Sequence, residues 1–122
     1  MRKKAIDFGV TMVNGNLVYN TTPHAIKLFV DDGKEIIIPA AKFPMRLREK
    51  REKIDEIAPG IKINRVQYFL DELDISHPEK GVYYIVSAVV ASRISREDFL
   101  IVDETVRDEE GKIIGCRAFA KI

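Results

Sequence analysis

The segment VRDEEGKIIGCRAFAKI, residues 106–122, has the pattern of a β-hairpin whose turn is flanked by two arginines. We expect a three-residue loop, 109–111, with Gly111 in the left-handed conformation, because this geometry recurs in hairpins. The alternative is a two-residue turn, which would set Arg107 opposite Ile114 and move the two arginines to opposite faces of the sheet.

The three-residue loop predicts one core face and one outer face for this hairpin. In that register Arg107 faces Ile113, and the pairs further from the loop are Thr105 with Gly115 and Asp103 with Arg117. The outer face then carries a guanidinium on each side of a bare patch at Gly115. The core face is apolar and consists of Ile114, Cys116, Ala118 and Ala120.

The two arginines of the outer face, Arg107 and Arg117, would lie about 13 Å apart along the sheet. This spacing suits an anion the size of a nucleotide, since arginine binds phosphate through a bidentate fork and stacks on flat rings. The alternative is a set of surface salt bridges, in which Arg107 pairs with Asp108 or Glu110 and Arg117 pairs with Asp103.

Further strands are predicted upstream of this hairpin. Asn14-Gly15 is a strong two-residue hairpin signal, and the DDGK segment at 31–34 separates another pair of strands. Residues 71–81 have the composition of a polar loop. Three more apolar runs, at 61–69, 82–86 and 98–103, are also predicted to be strands.

Two segments favour helices. Residues 45–60 are dense in charge, with Glu49 four residues before Lys53, a spacing that supports a helix ending at Pro59-Gly60. Ser87 is a candidate N-cap for a second helix rich in small residues. The sequence therefore predicts an α+β fold: an antiparallel, β-rich single domain spanning 1–122, with one or two helices.

Composition restricts the functional classes. The chain has 122 residues, with 20 basic and 19 acidic side chains and a formal net charge of +1. This balance argues against a duplex DNA binder, whose affinity depends on neutralising many phosphates. The N-terminus lacks the pattern of a secretory signal, and the longest apolar stretch is too short to cross a membrane. We expect a soluble intracellular protein.

The sequence contains few candidate catalytic residues. Neither histidine, His24 or His77, has metal-ligand spacing, and Cys116 is the only cysteine, so we expect no metal site, no disulfide and no cofactor. Cys116 is predicted to be a buried, inert thiol rather than one activated by its arginine neighbour. The acidic pair Asp71 and Glu72 is predicted to be solvated. We expect a protein that is not an enzyme.

Five segments in order resemble a family of small phage proteins, the first type of Thoeris anti-defence protein. The resemblance extends from about residue 20 to the C-terminus. The segments are NTTPHAIKL, IPAAKFPMRL, GVYYIVSAVVA, REDFLIVD and VRDEEGKIIGCRAF.

This resemblance implies a sponge for a signalling nucleotide. Such a protein sequesters, without cleavage, the cyclic ADP-ribose isomer that a bacterial TIR-domain enzyme makes, and some members of the family hold cyclic oligonucleotides as well. The resemblance also implies a homo-oligomer built from dimers, in the cytoplasm of the infected bacterial host. The implied ligand-binding residues are Arg46, Arg107 and Arg117 for phosphate or stacking, Tyr84 for the adenine, and Asn20 and His24 beside the TPH turn.

Two other functions remain open at this point. One is a phage structural or protein-interaction module with no nucleotide ligand, whose arginines are only surface charges. The other is a phosphodiesterase-like enzyme that acts on the same ligands. Affinity near the nanomolar range corresponds to about −12 kcal/mol. Two arginines and one stacked ring on an open surface would hardly supply this, so the sponge predicts an enclosed pocket.

Overall fold

The computed structural model describes residues 8–70, 75 and 77–122. This part of the chain forms nine strands and one helix, which confirms the β-rich α+β fold. The elements are β1 Gly9–Val13, β2 Asn16–Asn20, β3 Ile26–Phe29, β4 Glu35–Ile38, β5 Leu47–Ala58, β6 Ile61–Leu70, β7 Val82–Ile85, α1 Ala88–Arg93, β8 Phe99–Arg107 and β9 Ile113–Ala120.

The turns that the sequence predicted are present. Between β1 and β2, Asn14 has φ of 48° and Gly15 has φ of 82°, as a primed two-residue turn requires. Gly33, in the turn between β3 and β4, has φ of 88°. Within the loop predicted at 71–81, residues 75 and 77–81 are described and belong to no helix or strand, whereas 71–74 and 76, which include Asp71 and Glu72, lie outside the described residues.

The hairpins combine into a mixed seven-stranded sheet with the order β1-β2-β7-β8-β9-β3-β4. The pairs β1–β2, β3–β4 and β8–β9 are antiparallel. Where one hairpin meets the next strand, the pairing is parallel: β2 with β7, β7 with β8, and β3 with β9. The sequence signals predicted the hairpins but carried no information on these parallel junctions.

The sheet is rolled, so that its two edge strands approach each other. The Thr11 hydroxyl on β1 donates to the Ile37 carbonyl on β4 at 3.1 Å. Nearby, a Cβ atom added to Gly9 would lie 1.6 Å from the carbonyl oxygen of Pro39. This seam is therefore tight enough to require glycine at the start of β1.

Two hydrophobic clusters lie on the opposite faces of the rolled sheet. Successive residues of β7 enter different clusters, Tyr84 the outer and Ile85 the inner, because side chains alternate along a strand. The inner cluster consists of Val18, Ile26, Ile38, Ile85 and Cys116. The outer cluster consists of Phe8, Ala41, Ile75, Tyr84, Val86, Val90 and Phe99.

The helix predicted at 45–60 is wrong. Residues 47–58 form β5, which pairs with β6 around a turn at Pro59-Gly60 in which Gly60 has φ of 86°. Helical pairs of opposite charge contribute only about 0.2–0.5 kcal/mol each, so a ladder of backbone hydrogen bonds to β6 outweighs them. The Pro-Gly pair, interpreted as a helix stop, is the hairpin turn.

The second predicted helix is confirmed as α1. Ser87 is its N-cap, and the Ser87 hydroxyl accepts a hydrogen bond from the Val90 backbone N–H at 3.2 Å. Val90 on this helix is buried in the outer cluster. Among the described residues, no helix has both the length and the apolar character needed to span a membrane.

The Gly9 contact gives a prediction about stability. Gly9→Ala should lower the free energy of unfolding by about 1–3 kcal/mol, because the added methyl group can be accommodated only if the β1–β4 seam opens. Val10→Ala, at the neighbouring exposed position, is the control and should change it by less than about 0.5 kcal/mol. Urea denaturation measures both, and equal effects of the two variants would show that the seam is not tight.

Candidate functional site

A cavity of about 650 Å³ opens between three parts of the fold. Its walls are the segment 22–27, the junction 85–88 between β7 and α1, and the facing parts of β8 and β9. Small-molecule sites usually fall between about 300 and 1,000 Å³, so this cavity has the size of a ligand pocket.

The lining of the cavity is mainly apolar, with a few polar groups. Val102, Ile113 and Ile114 line it and are also exposed, which places them at its rim. Apolar walls with a small number of polar groups are typical of sites that bind a small organic molecule and fix its orientation. The polar side chains that line it belong to Thr22, His24, Lys27, Ser87 and Thr105.

The Asn20 side chain supports one wall of this cavity from behind. Its Nδ2 donates to the carbonyl of His24 at 2.7 Å and to the carbonyl of Pro39 at 3.0 Å. Its Oδ1 accepts from the Thr22 backbone N–H at 3.0 Å and from the Thr22 hydroxyl at 2.7 Å. These four bonds use the two donors and two acceptor positions of the amide. Asn20, predicted as a ligand residue, is buried and its amide is fully occupied within the chain.

His24 is the predicted site residue that the structure brings to the cavity. It is exposed and lines the opening, while its backbone carbonyl is held by Asn20. Lys27 follows on β3 and also lines the cavity. Its Nζ lies 4.0 Å from a carboxylate oxygen of Glu35, a long contact between exposed groups that stabilises little.

Tyr84, predicted to stack on adenine, lies in the outer cluster instead. It is 3% exposed, and its ring stacks on Tyr19 with centroids 5.3 Å apart. Phe8 and Phe99 pack against it edge to face. The guanidinium of Arg96 also lies near this ring, 5.9 Å from its centroid. A base could reach Tyr84 only by displacing these neighbours.

The loop of the closing hairpin is confirmed, but the register beyond it differs from the prediction. The Asp108 N–H donates to the Lys112 carbonyl at 2.9 Å, and Gly111 has φ of 85°. Arg107 faces Ile113 as predicted. The ladder then shifts, because Ile114 is an extra residue, and the predicted pairs are wrong: Thr105 faces Cys116, and Asp103 faces Ala118.

This shift also removes the bare patch expected at Gly115. A Cβ atom there would lie 2.6 Å from the Phe29 ring and 2.5 Å from the Lys27 carbonyl oxygen, so Phe29 already covers the position. The Arg117 guanidinium lies 6.0 Å from the centroid of that ring. Arg107 donates from Nη1 to the Gly111 carbonyl at 2.7 Å.

The predicted arginines are therefore not grouped at the cavity. Arg107 and Arg117 are exposed on the strands that form one wall of the cavity. Neither is among the residues that line it in the described part of the chain. Arg46 is exposed immediately before β5 and is also outside the described lining. Sequence reasoning did not identify Val102, Thr105 and Ile113 as lining residues, because no local signal distinguishes a strand residue that lines a cavity from one that packs in the core.

Cys116 is buried at the inner end of the cavity, as predicted. Burial raises the pKa of its thiol, so the neutral form is favoured at neutral pH. A neutral, buried thiol is a poor nucleophile. Within the described ranges, no group of three or more His, Cys, Asp or Glu residues has the arrangement of a metal site.

Comparisons of the chain with protein-family models, with curated proteins and with solved structures give no match. The function must therefore be argued from the cavity and from the residues around it.

The contacts of Asn20 indicate that this side chain stabilises the fold and does not contact the ligand. Asn20→Asp should lower the free energy of unfolding by about 2 kcal/mol or more, because the carbonyls of His24 and Pro39 lose their donor and face a carboxylate on a buried side chain. Asn64→Asp, at an exposed position on β6, is the control and should have little effect. Thermal and urea unfolding measure both. A stable Asn20→Asp protein would return Asn20 to the candidates for ligand contact.

Proposed function

We propose that this protein binds and sequesters a cyclic nucleotide signal, a cyclic ADP-ribose isomer, without cleaving it, and so blocks TIR-based Thoeris immunity. The observation that carries the proposal is the cavity of about 650 Å³, with apolar walls and polar groups at its opening. The resemblance of five ordered segments to the anti-defence family supports the nucleotide as its ligand. The site of action is then the cytoplasm of the infected bacterial host.

The proposed binding mode follows the chemistry of the lining. The flat base packs against the buried apolar end of the cavity, formed by Ile26, Ile85 and Cys116, which buries ring surface. The phosphates lie towards the opening, near His24 and Lys27. A diphosphate carries about two negative charges, so a few local cations can match it without a basic protein.

Arg107 and Arg117 remain predicted ligand residues in this mode, in a changed role. Both lie on strands whose other residues line the cavity, and both are exposed. We propose that they contact the outer part of the ligand, where the Arg117 guanidinium also lies 6.0 Å from the centroid of the Phe29 ring. The same proposal includes Arg46 as a further ligand residue and the cyclic oligonucleotides implied by the resemblance as further ligands. It also includes assembly into oligomers built from dimers.

A second candidate function is a protein-interaction module with no nucleotide ligand. The observation that favours it is the two-stranded ribbon β5–β6, which pairs outside the seven-stranded sheet and exposes large apolar side chains. The two functions make different predictions about the cavity, because an interaction module leaves it without a ligand.

The first test is capture with recovery. The protein is incubated with the cyclic ADP-ribose isomer, depletion from solution is measured after ultrafiltration, and the heat-denatured sample is analysed by mass spectrometry. Depletion followed by release of intact ligand is the expected result. Cleaved product would instead indicate an enzyme, and no depletion would favour the interaction module.

The second test locates the ligand with a matched pair of variants. Ala88 and Val89 are adjacent exposed residues of α1, but only Ala88 lines the cavity. Ala88→Phe should weaken capture at least about tenfold by occupying the cavity, whereas Val89→Phe should not. Isothermal titration calorimetry measures both. Equal affinities for the two variants would place the ligand elsewhere.

The third test concerns the hairpin arginines. Arg107→Ala and Arg117→Ala should each weaken capture about tenfold, the usual scale for a lost charge-assisted hydrogen bond, while the melting temperature changes little. Glu109→Ala in the same loop is the control and should bind normally. Undiminished binding by both arginine variants would show that the hairpin does not contact the ligand.

A further inference from the structure

One residue of β8 has a backbone conformation that is unusual inside a strand. In the described part of the chain, two residues other than glycine have a positive φ, Asn14 at 48° and Glu104 at 49°. Asn14 lies in a primed hairpin turn, which requires this conformation. Glu104 lies inside the strand Phe99–Arg107, and its left-handed backbone is strained because the Cβ atom of an L-residue crowds the following carbonyl.

Beyond Glu104, β8 points its side chains to the opposite face from the one that regular alternation predicts. Before it, Phe99 is buried in the outer cluster and Ile101 packs against the same cluster. Side chains alternate along a regular strand, so Thr105 would point to this outer face as well. Instead, Thr105 lies opposite Cys116 of the inner cluster, and directly opposite residues share a face.

The lining of the cavity shows the same reversal. Val102 and Thr105 both line the cavity, although they are three residues apart and a regular strand would point them to opposite faces. No residue is inserted between them, because the pairs with β9 keep one register from Val102 to Thr105. The left-handed conformation of Glu104 therefore accounts for the reversal. Arg107, two residues beyond Thr105, lies opposite Ile113, another lining residue.

The Thr105 hydroxyl is the one in the cavity lining that is available to a ligand. Two other hydroxyl side chains line the described cavity, and both are engaged within the chain. The Thr22 hydroxyl donates to Asn20 Oδ1 at 2.7 Å, and the Ser87 hydroxyl caps α1. Within the described ranges, the Thr105 hydroxyl has no hydrogen-bond partner. A ligand that covers it can therefore use both its donor and its acceptor positions.

We propose that Glu104 is a positioning residue of the nucleotide site, whose left-handed conformation turns the Thr105 hydroxyl into the cavity to hydrogen-bond the polar edge of the bound base. This inference rests on the proposed function, since it takes a nucleotide as the ligand. Cys116, opposite Thr105, belongs to the buried end of the cavity against which the base packs. A hydroxyl beside this end both donates and accepts, which suits the ring nitrogens and the amino group of a purine edge.

The proposed contact selects between flat molecules of similar size. The apolar walls accept any ring that fits, because the burial of apolar surface is not directional. Once a ring covers the Thr105 hydroxyl, a ring with a polar edge is favoured, since one without it leaves this group unpaired. Backbone strain recurs at ligand sites, where the surrounding structure holds a residue in a conformation that it would not adopt alone. The strain at Glu104 has this role here.

Two substitutions of Thr105 test the hydroxyl by isothermal titration calorimetry with the cyclic ADP-ribose isomer. Thr105→Val keeps the shape of the side chain and removes the hydroxyl, so it should weaken binding about tenfold. Thr105→Ser keeps the hydroxyl and should restore binding to within about threefold of the unmodified chain. Equal affinities of Thr105→Val and the unmodified chain would overturn this inference and leave the proposed function intact. No binding by the unmodified chain would overturn both.

Two substitutions of Glu104 separate its conformation from its carboxylate. Glu104→Val should weaken binding at least about tenfold, because a β-branched residue strongly disfavours the left-handed region and regular alternation would then turn Thr105 away from the cavity. Glu104→Gly should rescue binding, since glycine adopts this conformation without strain. Asp103→Val, at the exposed neighbouring position, is the control and should bind normally. Loss of binding in both Glu104 variants would show that the carboxylate itself acts, which would overturn the positioning role.

Cysteine footprinting tests the direction of residue 105 independently of its hydroxyl, and circular dichroism checks that each variant keeps its fold. Thr105→Cys should lose most of its reactivity towards iodoacetamide when the cyclic ADP-ribose isomer saturates the protein. Asp103→Cys, which alternation places on the outer face, should react equally with and without the ligand. Cys116 is buried and adds little background. Protection of both cysteines, or of neither, would show that β8 does not turn Thr105 into the site, and would overturn the inference.

Discussion

The side-chain amide of Asn20 is the constraint on which the cavity depends. One buried group joins the end of β2 to the turn at Thr22 and His24 and to the carbonyl of Pro39 after β4. These contacts connect strands from both ends of the seven-stranded order, so the amide helps to hold the sheet in its rolled form. The same bonds fix the backbone that presents His24 at the opening. A buried amide with every bond made stabilises one geometry, since any rearrangement would leave polar groups unpaired.

The rolled sheet explains why the cavity and the core share residues. The inner cluster contains Ile26, Ile85 and Cys116, and these three also line the cavity. Among the residues that the structure describes, the cavity is therefore the region in which the inner core reaches the surface. A ligand there would extend the core, which supplies affinity from buried apolar surface, while the groups at the opening set its orientation. The proposed sponge needs this combination, because retention without chemistry depends on slow release.

The features that the sequence predicted well are local, and those it missed depend on distant parts of the chain. The turns at Gly15, Gly33 and Gly111 follow from a few neighbouring residues, and all three were predicted. The extra residue Ile114 changes the register of β9, and nothing in the adjacent sequence marks it. Tyr84 and Asn20 were assigned to the ligand from the resemblance to the anti-defence family. Their burial is decided by Tyr19, Phe99 and the β1–β4 seam, which single-sequence patterns do not reveal.

The error at β5 has its origin in the charges of residues 48–56. Alternating signs at short spacing are compatible with a helix, where they pair across a turn, and with an exposed strand, where they keep other strands away. The ribbon does not pack one face against a core along its length. Its sequence therefore lacks the apolar periodicity that would have distinguished a strand from a helix. The charges are concentrated on β5, and two inserted residues add to their effect on that edge.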